Sequence, residues 1–244
     1  MLKRLIRKLI YKENASSGEL LNYLRERGAK IGDDVTVYAP NKTVIDKTAP
    51  WLLSIGNHVR ITEGVKILTH DYSWSVLKHY SSETVHPGEI LGSQRAVEIG
   101  NNVFIGMNAV ITCGVTIGDN VIIGAGSVVT KNCESNGVYA GVPARRLMSI
   151  EDFYRKRKAE QFEEAKDIAL RYKRAFGVEP DKTVFSEYFM LFATCDEAKK
   201  TEIFHKQMQT GMNEDESATH MAQNTPMFAS FEEFLDACYG RSRE

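Results

Sequence analysis

Histidine is the side chain best suited to move protons near neutral pH. The sequence contains six of them, at His58, His70, His79, His86, His205 and His220. His70 differs from the others in its position within Ile67-Leu68-Thr69-His70-Asp71, where a regular sequence pattern stops. A histidine can act as a general base or a general acid. By residue type alone, however, any one of the six is more often structural or solvent-exposed than catalytic.

The pattern around His70 has a period of six residues. Aliphatic residues open successive frames at Ile99, Ile105, Ile111, Ile117, Ile123 and Val129, and glycine follows at Gly100, Gly106, Gly118 and Gly124. This period fits neither the 3.6 residues of an α-helix turn nor the alternation of an ordinary strand. It predicts short strands with an aliphatic side chain inside, each ending in a tight turn that glycine accommodates. Such units stack into a solenoid.

The same frame occurs upstream of the main run, at Ile31, Val37, Ile55, Ile61 and Ile67. Ile31 and Ile55 are separated by four whole periods. Between Ile67 and Ile99 the phase slips by two residues, so residues 71–96 are expected to leave the regular structure as an inserted loop. Loops carried by a rigid scaffold often hold binding residues.

Residues 1–30 are predicted to be helical. Leu2, Leu5, Ile6, Leu9 and Ile10 form one apolar stripe, and a second helical stretch begins at Gly18 and ends before Gly28. We expect this segment to cap the first coil of the solenoid. Because the first stretch is also basic, contact with a membrane surface is the alternative.

Residues 148–244 are expected to form a small helical appendage with an acidic face. Ser149-Ile150-Glu151-Asp152 predicts a helix start, and Gly177 with Pro180 predicts its end. A second capping box at Ser230-Phe231-Glu232-Glu233 opens another helix. Between them, residues 185–192 (FSEYFMLF) and 195–208 (CDEAKKTEIFHKQM) predict further amphipathic helix.

Residues 31–147 resemble the hexapeptide-repeat acyltransferases, especially the branch of maltose, galactoside and capsular-polysaccharide O-acetyltransferases. The matching segments are Ile67 to Asp71, Gly100-Asn101-Asn102-Val103-Phe104-Ile105-Gly106, Ile123 to Lys131, and Gly141-Val142-Pro143-Ala144-Arg145. The resemblance implies a mainly β fold, a left-handed parallel β-helix with three strands in each coil. Ile99 would then stack beneath Ile117, Ile105 beneath Ile123, and Ile111 beneath Val129.

The resemblance also implies roles for individual residues. His70 would be the general base of acetyl transfer from acetyl-CoA, with its second ring nitrogen held by a carbonyl or carboxylate. Asp71 is a weak candidate for that partner because adjacent strand residues point apart. The predicted donor-binding residues are Phe104 as an apolar wall, Gly106 and Ala125 beside the pantetheine arm, and Thr130, Lys131 and Arg145 near the phosphates. A further basic residue of the family is replaced by Met148.

The acceptor implied by the resemblance is a saccharide. Asp71, Tyr72, Trp74 and His86 lie in the predicted loop and are its candidate ligands, with His79 as a further loop histidine. Aromatic faces with nearby hydroxyls and carboxylates suit sugar rings. The family assembles homotrimers, which would place His70 of one chain opposite acetyl-CoA bound along another.

Composition excludes several other classes of protein. The net charge of −1 removes the usual argument for a nucleic-acid binder. The four cysteines form no CxxC pair, which indicates free thiols in a reducing, cytoplasmic setting. The N-terminal residues lack the unbroken apolar stretch of an export signal. Residues 99–118 carry no charge, but their glycines and asparagines argue against a membrane helix.

Other activities on the same scaffold stay open from the sequence. An amino-sugar N-acetyltransferase or an antibiotic acetyltransferase would use the same residues, because function lies in the site rather than in the fold. A zinc enzyme resembling the γ-carbonic anhydrases would need three histidine ligands. The His-x4-His pair of that family is absent, so no metal is expected. A non-catalytic scaffold is the remaining alternative.

Overall fold

The structure, a computed structural model, describes residues 2–241, with side chains from residue 6 onward. The described residues fall into two compact units, one extending to Phe153 and the other beginning at Tyr154. The first unit contains the repeats and all the predicted site residues. The second contains most of the predicted helical appendage.

The first unit is a three-sided parallel β-helix. Its strands are β1 (Lys30–Ile31), β2 (Thr36–Val37), β3 (Val44–Ile45), β4 (Leu53–Ile55), β5 (Val59–Ile61), β6 (Lys66–Ile67), β7 (Val97–Ile99), β8 (Val103–Ile105), β9 (Val110–Ile111), β10 (Thr116–Ile117), β11 (Val121–Ile123), β12 (Val128–Val129), β13 (Gly137–Gly141) and β14 (Ala144–Ser149). Sheet 1 has the order β1-β4-β7-β10, sheet 2 the order β2-β5-β8-β11-β13-β14, and sheet 3 the order β3-β6-β9-β12. All neighbours are parallel except β13 and β14.

The predicted stacking of the main run is confirmed by the strand register. Ile117 pairs with Ile99, Ile123 with Ile105, and Val129 with Ile111. The aliphatic residue of each strand points inward, so these side chains form one continuous buried core. Burial of this column is the main source of stability, since the two- or three-residue strands are too short to persist alone.

The predicted upstream frames at Ile31, Val37, Ile55, Ile61 and Ile67 all end strands, but the first coil departs from the six-residue spacing. Ile31 pairs directly with Ile55, so four sequence periods make a single coil of only three strands. The third strand of that coil ends at Ile45, two residues later than the period predicts, and a 3₁₀ turn at Pro50–Leu52 takes up the rest. Ile45 pairs with Ile67 in sheet 3.

Three corners join the sheets, and we name each by the sheets that it connects. The 1–2 corner carries left-handed residues at Asp34, His58, Asn102, Asn120 and Asn136. Asn102 Nδ2 donates to Asn120 Oδ1 at 2.8 Å, and Asn120 Nδ2 donates to Asn136 Oδ1 at 2.9 Å. These side chains satisfy one another, so the corner is a structural ladder.

Two helices precede the β-helix, α1 (Leu2–Tyr11) and α2 (Ser17–Arg25), with a 3₁₀ turn at Lys12–Ala15 between them. Leu20, Leu21 and Leu24 of α2 are buried and belong to the core of the β-helix. The described apolar residues of α1 are exposed. Capping contacts are therefore made by α2.

The chain leaves the coils after His70 and returns at β7. The amide of Asp71 donates to the Ser93 carbonyl at 2.9 Å, and the amide of Arg95 donates to the Thr69 carbonyl at 3.0 Å. These bonds close the base of the inserted segment. It contains one short helix, α3 (Trp74–Leu77).

Helices make up most of the remaining chain. They are α4 (Ile150–Phe176), α5 (Cys195–Lys200), α6 (Glu202–Met208), α7 (Glu214–Gln223) and α8 (Phe231–Tyr239). The Asp152 amide donates to Ser149 Oγ at 3.0 Å and Gly177 is left-handed, which confirms the predicted ends of α4. The Glu233 amide likewise donates to Ser230 Oγ, at 3.2 Å, as the second capping box predicts.

One helix prediction is wrong. Residues 185–192 form two 3₁₀ turns, Lys182–Phe185 and Phe189–Leu191, rather than an α-helix. Phe185, Phe189 and Phe192 are buried at the i, i+4, i+7 spacing of a single helix stripe, but Leu191 is also buried and lies outside that stripe. The aromatic cluster they form with Phe204 and Phe234 is the core of the second unit.

The predicted mainly β class also needs a correction, because more of the described residues lie in helices than in strands. The strands of a hexapeptide coil are short, so much of the β-helix consists of turns. None of the described helices is long and apolar enough to cross a membrane.

Candidate active site

His70 lies three residues beyond the end of β6, at the 3–1 corner, where the inserted segment begins. Its Nδ1 atom is in close contact with Oδ2 of Asp46. Asp46 directly follows β3, the strand that pairs with β6, so neighbouring coils bring the two side chains together. The Asp46 side chain is 4% exposed and that of His70 is 42% exposed. The pair thus has a buried carboxylate and an accessible imidazole.

Three further hydrogen bonds fix the Asp46 carboxylate. Oδ2 accepts from the Thr69 hydroxyl at 2.6 Å and from the Thr69 amide at 3.1 Å. Oδ1 accepts from the Thr48 amide at 2.9 Å. Burial opposes ionisation of Asp46, but the bonds from Thr69, Thr48 and His70 outweigh it and hold the pKa well below its ordinary value. Asp46 is therefore a carboxylate at neutral pH.

The ionised carboxylate determines which imidazole nitrogen can act as a base. A carboxylate only accepts hydrogen bonds. Nδ1 of neutral His70 must therefore carry the ring proton and donate a hydrogen bond to Asp46. The lone pair then lies on Nε2. In this tautomer His70 can accept a proton at Nε2, and Asp46 would stabilise the imidazolium that results.

Asp46 was not among the residues singled out from the sequence. The two-residue offset of Ile45 moves Asp46 out of the six-residue frame, so its alignment beneath the His70 turn was hidden. The available signal was chemical: corresponding positions after Ile67, Ile111 and Val129 hold Leu68, Thr112 and Thr130, and a buried carboxylate in that row is exceptional.

Asp71, the weaker candidate for holding the imidazole, does not bond to His70. Its Oδ1 accepts from the Ser73 amide at 2.8 Å and its Oδ2 from the Ser73 hydroxyl at 2.9 Å. These bonds lower the pKa of Asp71. The carboxylate is exposed at the start of the inserted segment, next to the imidazole.

The other predicted acceptor ligands follow in the same segment. Tyr72 and Trp74 are in edge-to-face contact, with ring centroids 4.9 Å apart. Tyr72 is exposed, and so are His79 and His86. The segment therefore presents aromatic and polar side chains immediately after His70, without a buried pocket of its own.

The predicted pantetheine-binding residues lie at the 2–3 corner. A methyl group added to Gly106 would lie 2.5 Å from the backbone nitrogen of Ala125 in the next coil, so only glycine fits there. Gly124 approaches Ala140 of β13 in the same way, and Ala140 pairs with Arg145 of β14. Gly106, Ala125 and Arg145 thus form a row parallel to the axis of the β-helix.

Phe104, the predicted apolar wall, and two of the predicted phosphate ligands lie elsewhere on the coils. Phe104 is on the outer face of sheet 2 and is partly exposed. Thr130 and Lys131 follow β12 at the 3–1 corner, two strands along sheet 3 from the β6 strand that leads to His70. Both are exposed. A single chain therefore brings His70 towards Thr130 and Lys131, whereas the Gly106 row is at another corner.

The two adjacent arginines of β14 differ in their partners. Arg146 donates to the Asn136 carbonyl at 3.1 Å and lies 3.7 Å from a Glu134 carboxylate oxygen. Arg145 is exposed and bonds only to the Ala144 carbonyl, at 3.0 Å, among the described residues. Arg145 consequently retains more capacity to bind an anion. Met148, on the same strand, supplies no charge.

No group of three or more His, Cys, Asp or Glu side chains among the described residues could hold a metal ion. Where the structure describes the cysteines, all four are free, and burial raises the pKa of Cys133 to about 11.

Comparison with known proteins assigns the repeats to a family. The family model described as bacterial transferase hexapeptide (six repeats) matches residues 96–131. Protein CapG of Staphylococcus aureus is 41% identical over 153 residues, covering 62% of this chain and 81% of CapG.

Galactoside O-acetyltransferase of Escherichia coli strain K12 is 42% identical over 113 residues, covering 46% of this chain and 50% of that protein. A solved galactoside acetyltransferase in complex with coenzyme A is 30% identical, with a TM-score of 0.41, covering 62% of this chain and 82% of that one. With the repeats stacked as described and CapG matched over most of its length, the chain belongs to the hexapeptide-repeat acyltransferases, in the branch of the maltose, galactoside and capsular-polysaccharide O-acetyltransferases.

Proposed function

We propose that this acyltransferase moves the acetyl group of acetyl-CoA to a saccharide hydroxyl, with His70 as the general base and Asp46 as its positioning residue. The observation that carries the proposal is the contact between His70 Nδ1 and the buried Asp46 carboxylate. It leaves Nε2 as the basic atom at the edge of the inserted segment. We assign this activity to residues 31–147, with residues 1–30 as a cap and 148–244 as an appendage.

The reaction needs one base that later acts as an acid. His70 Nε2 takes the proton of the acceptor hydroxyl while the hydroxyl oxygen forms a bond to the thioester carbonyl carbon. Asp46 stabilises the imidazolium during this step. The carbon–sulfur bond then breaks, and His70 returns the proton to the departing CoA sulfur. The products are an acetyl ester and free CoA, so atoms and charge balance.

Acetyl-CoA is the co-substrate, and the row at the 2–3 corner supplies its binding surface. The close approach of Gly106 to Ala125 keeps the coil surface flat, so a linear pantetheine arm can reach backbone groups. Phe104 provides an apolar wall beside this row. Arg145 would meet the phosphates through a charge-assisted pair that Arg146 is less able to make. Thr130 and Lys131, which share the 3–1 corner with His70, would approach the phosphates from the neighbouring copy.

The separation of the corners supports assembly into a homotrimer. His70 lies at the 3–1 corner and the Gly106 row at the 2–3 corner of the same prism. The two corners are different edges of one chain, and rotational symmetry can place the 3–1 corner of one copy beside the 2–3 corner of the next. Each active site would then use residues of two subunits.

The acceptor site would be formed by the inserted segment. Tyr72 and Trp74 offer an aromatic edge and face for a sugar ring, and Asp71 and His86 offer polar groups for its hydroxyls. Relatedness to CapG and to a galactoside O-acetyltransferase favours a surface polysaccharide or its precursor as the acceptor. Four unpaired cysteines fit a reducing cytoplasmic location.

The test is release of CoA thiol from acetyl-CoA in the presence of a panel of saccharides. We expect release that depends on both the protein and a saccharide, with an acetylated product identified by mass spectrometry. Mild alkali would remove the acetyl group from an ester but not from an amide, which separates O-transfer from N-transfer. Transfer confined to amino groups, or no transfer with any saccharide, contradicts the proposal.

Donor binding is tested separately by calorimetry with CoA, which needs no acceptor. Arg145→Gln should weaken binding about tenfold or more, as expected for a lost charge-assisted bond to phosphate. Arg146→Gln is the matched control and should change the affinity less, because Arg146 is engaged by Asn136 and Glu134. Equal effects of the two variants would remove Arg145 from the donor site.

A further inference from the structure

The N-terminal helix α1 has an apolar surface that the described protein leaves uncovered. Leu9 is 82% exposed, Ile10 63% and Ile6 48%. The leucines of α2 are buried in the core of the β-helix, so the two helices differ although both are amphipathic. Exposure of three large aliphatic side chains on one short helix calls for an explanation.

The charged residues of α1 are all basic. The first twelve residues contain five basic residues and no acidic residue, in a chain whose net charge is only −1. At about 100° per residue, Ile6, Leu9 and Ile10 occupy one continuous arc, and Arg7 and Lys8 lie outside it. Lys8 lies 3.2 Å from a Glu19 carboxylate oxygen but is itself largely exposed. The surface is therefore apolar and flanked by cations.

This composition is poorly suited to an isolated helix in water. The first turn contains no acidic residue, although the helix dipole favours acidic residues there. The helix has ten residues, fewer than an isolated helix needs to be stable. A surface that covers the apolar arc and attracts the cations would stabilise it. A short amphipathic helix with basic flanks is the form that binds in the plane of an anionic bilayer.

We propose that α1 docks this protein on an anionic phospholipid surface, with Ile6, Leu9 and Ile10 inserted among the acyl chains. Arg7 and Lys8 would lie at the level of the headgroups, where each cation contributes electrostatic attraction. The helix lies on the bilayer rather than across it. This docking does not depend on the acetyl acceptor and stands or falls separately from acetyl transfer.

The experiment is co-sedimentation of the full chain with vesicles of phosphatidylcholine alone or of phosphatidylcholine with phosphatidylglycerol. We expect binding to the anionic vesicles that weakens as salt is raised, and much less binding to the neutral ones. Leu9→Glu should reduce anionic binding at least tenfold, and Arg7→Gln about fivefold. Met227→Glu, which changes an exposed residue of the second unit, is the matched control and should bind as the unchanged protein does.

Light scattering without lipid distinguishes a bilayer from a second copy of the chain as the partner. Leu9→Glu should keep the oligomeric state and the circular dichroism spectrum of the unchanged protein. The proposal is overturned if the anionic vesicles are not bound, or if neutral vesicles bind equally well. It is also overturned if Met227→Glu loses binding equally, or if Leu9→Glu dissociates the oligomer.

Discussion

The chain contains two histidine–aspartate pairs of the same sequence separation, His58 with Asp34 and His70 with Asp46. Each joins a histidine Nδ1 to Oδ2 of an aspartate on the preceding coil. His58 is at the 1–2 corner, in the ladder of left-handed residues, and His70 is at the 3–1 corner. The pairs thus offer an internal comparison of a turn residue with a candidate catalytic residue.

The difference lies in what else the aspartate binds. Asp34 accepts a hydrogen bond from Arg60 Nη2 at 2.6 Å in addition to that from His58, at 3.0 Å. The guanidinium therefore satisfies the charge of Asp34 without the histidine. The other groups that bond to Asp46 come from Thr69 and Thr48 and are neutral. Its charge remains available to stabilise a cation on His70, which is what a general base requires.

The largest contrast is expected from removing the two histidines in turn. His70→Ala should lower the rate of acetyl transfer about 1000-fold, within the range for a lost general base. His58→Ala should leave the rate unchanged, since Arg60 still holds Asp34. Both proteins are assayed by CoA thiol release and titrated with CoA, whose affinity should not change. Equal loss in both variants would show that the effect is structural.

Replacing each of the two aspartates by asparagine, one at a time, compares how much each histidine depends on the charge of its partner. Asp46→Asn preserves the shape of the side chain but removes the charge, so His70 loses both its fixed tautomer and its counter-ion. We expect kcat to fall about 100-fold with an unchanged KM for acetyl-CoA, a smaller loss than removal of the base. Asp34→Asn should keep kcat. A rise in KM alone for Asp46→Asn would contradict its positioning role.

The comparison also separates what the sequence could predict from what it could not. The stacking of Ile99, Ile105 and Ile111 followed from their period together with the three-strand coil that the family resemblance implies. His70 was proposed because its motif and its position at the end of the period resemble those of the family's catalytic histidine. Asp46 was missed because insertions change the frame between Val37 and Ile55, and only the folded register reveals which residues share a corner.

The helical unit shows a second limit of the sequence. Caps at Ser149 and Ser230 were predicted correctly because a cap is satisfied by groups within four residues. The aromatic residues 185–192 were misread because their conformation depends on Phe204 and Phe234, which are distant in sequence. Packing from several sides favours bent 3₁₀ turns over a helix with one buried stripe.

A smaller effect is expected from the hydroxyl that supports Asp46. Thr69→Val keeps the buried volume but removes the 2.6 Å bond to the carboxylate, and we expect kcat to fall about tenfold. Stability should fall by roughly 1.5–3 kcal/mol, because the lost bond is to a charged group. Thr62→Val is the control, since Thr62 donates to the neutral Ile105 carbonyl at 2.7 Å. It should cost about 1 kcal/mol and leave kcat unchanged.

The smallest expected effect is on the acid stability of the two pairs. The pKa of both Asp46 and Asp34 is lowered, against the opposing effect of burial, by hydrogen bonds from Thr69 in the first case and from Arg60 in the second. A carboxyl with a lowered folded pKa stabilises the protein above its unfolded value of about 3.9, and this contribution is lost as the pH falls through the folded pKa.

Denaturant midpoints measured from neutral pH down to about pH 2 test this directly. The unchanged protein should exceed Asp46→Asn in stability at neutral pH, and the gap should narrow below about pH 4 as Asp46 takes up its proton. Asp34→Asn should show the same sign with a smaller gap, because Asp34 is the more exposed of the two carboxylates. A gap that widens in acid would mean that the folded pKa of Asp46 lies above its unfolded value, which would contradict the lowered pKa and its support for the tautomer assigned to His70.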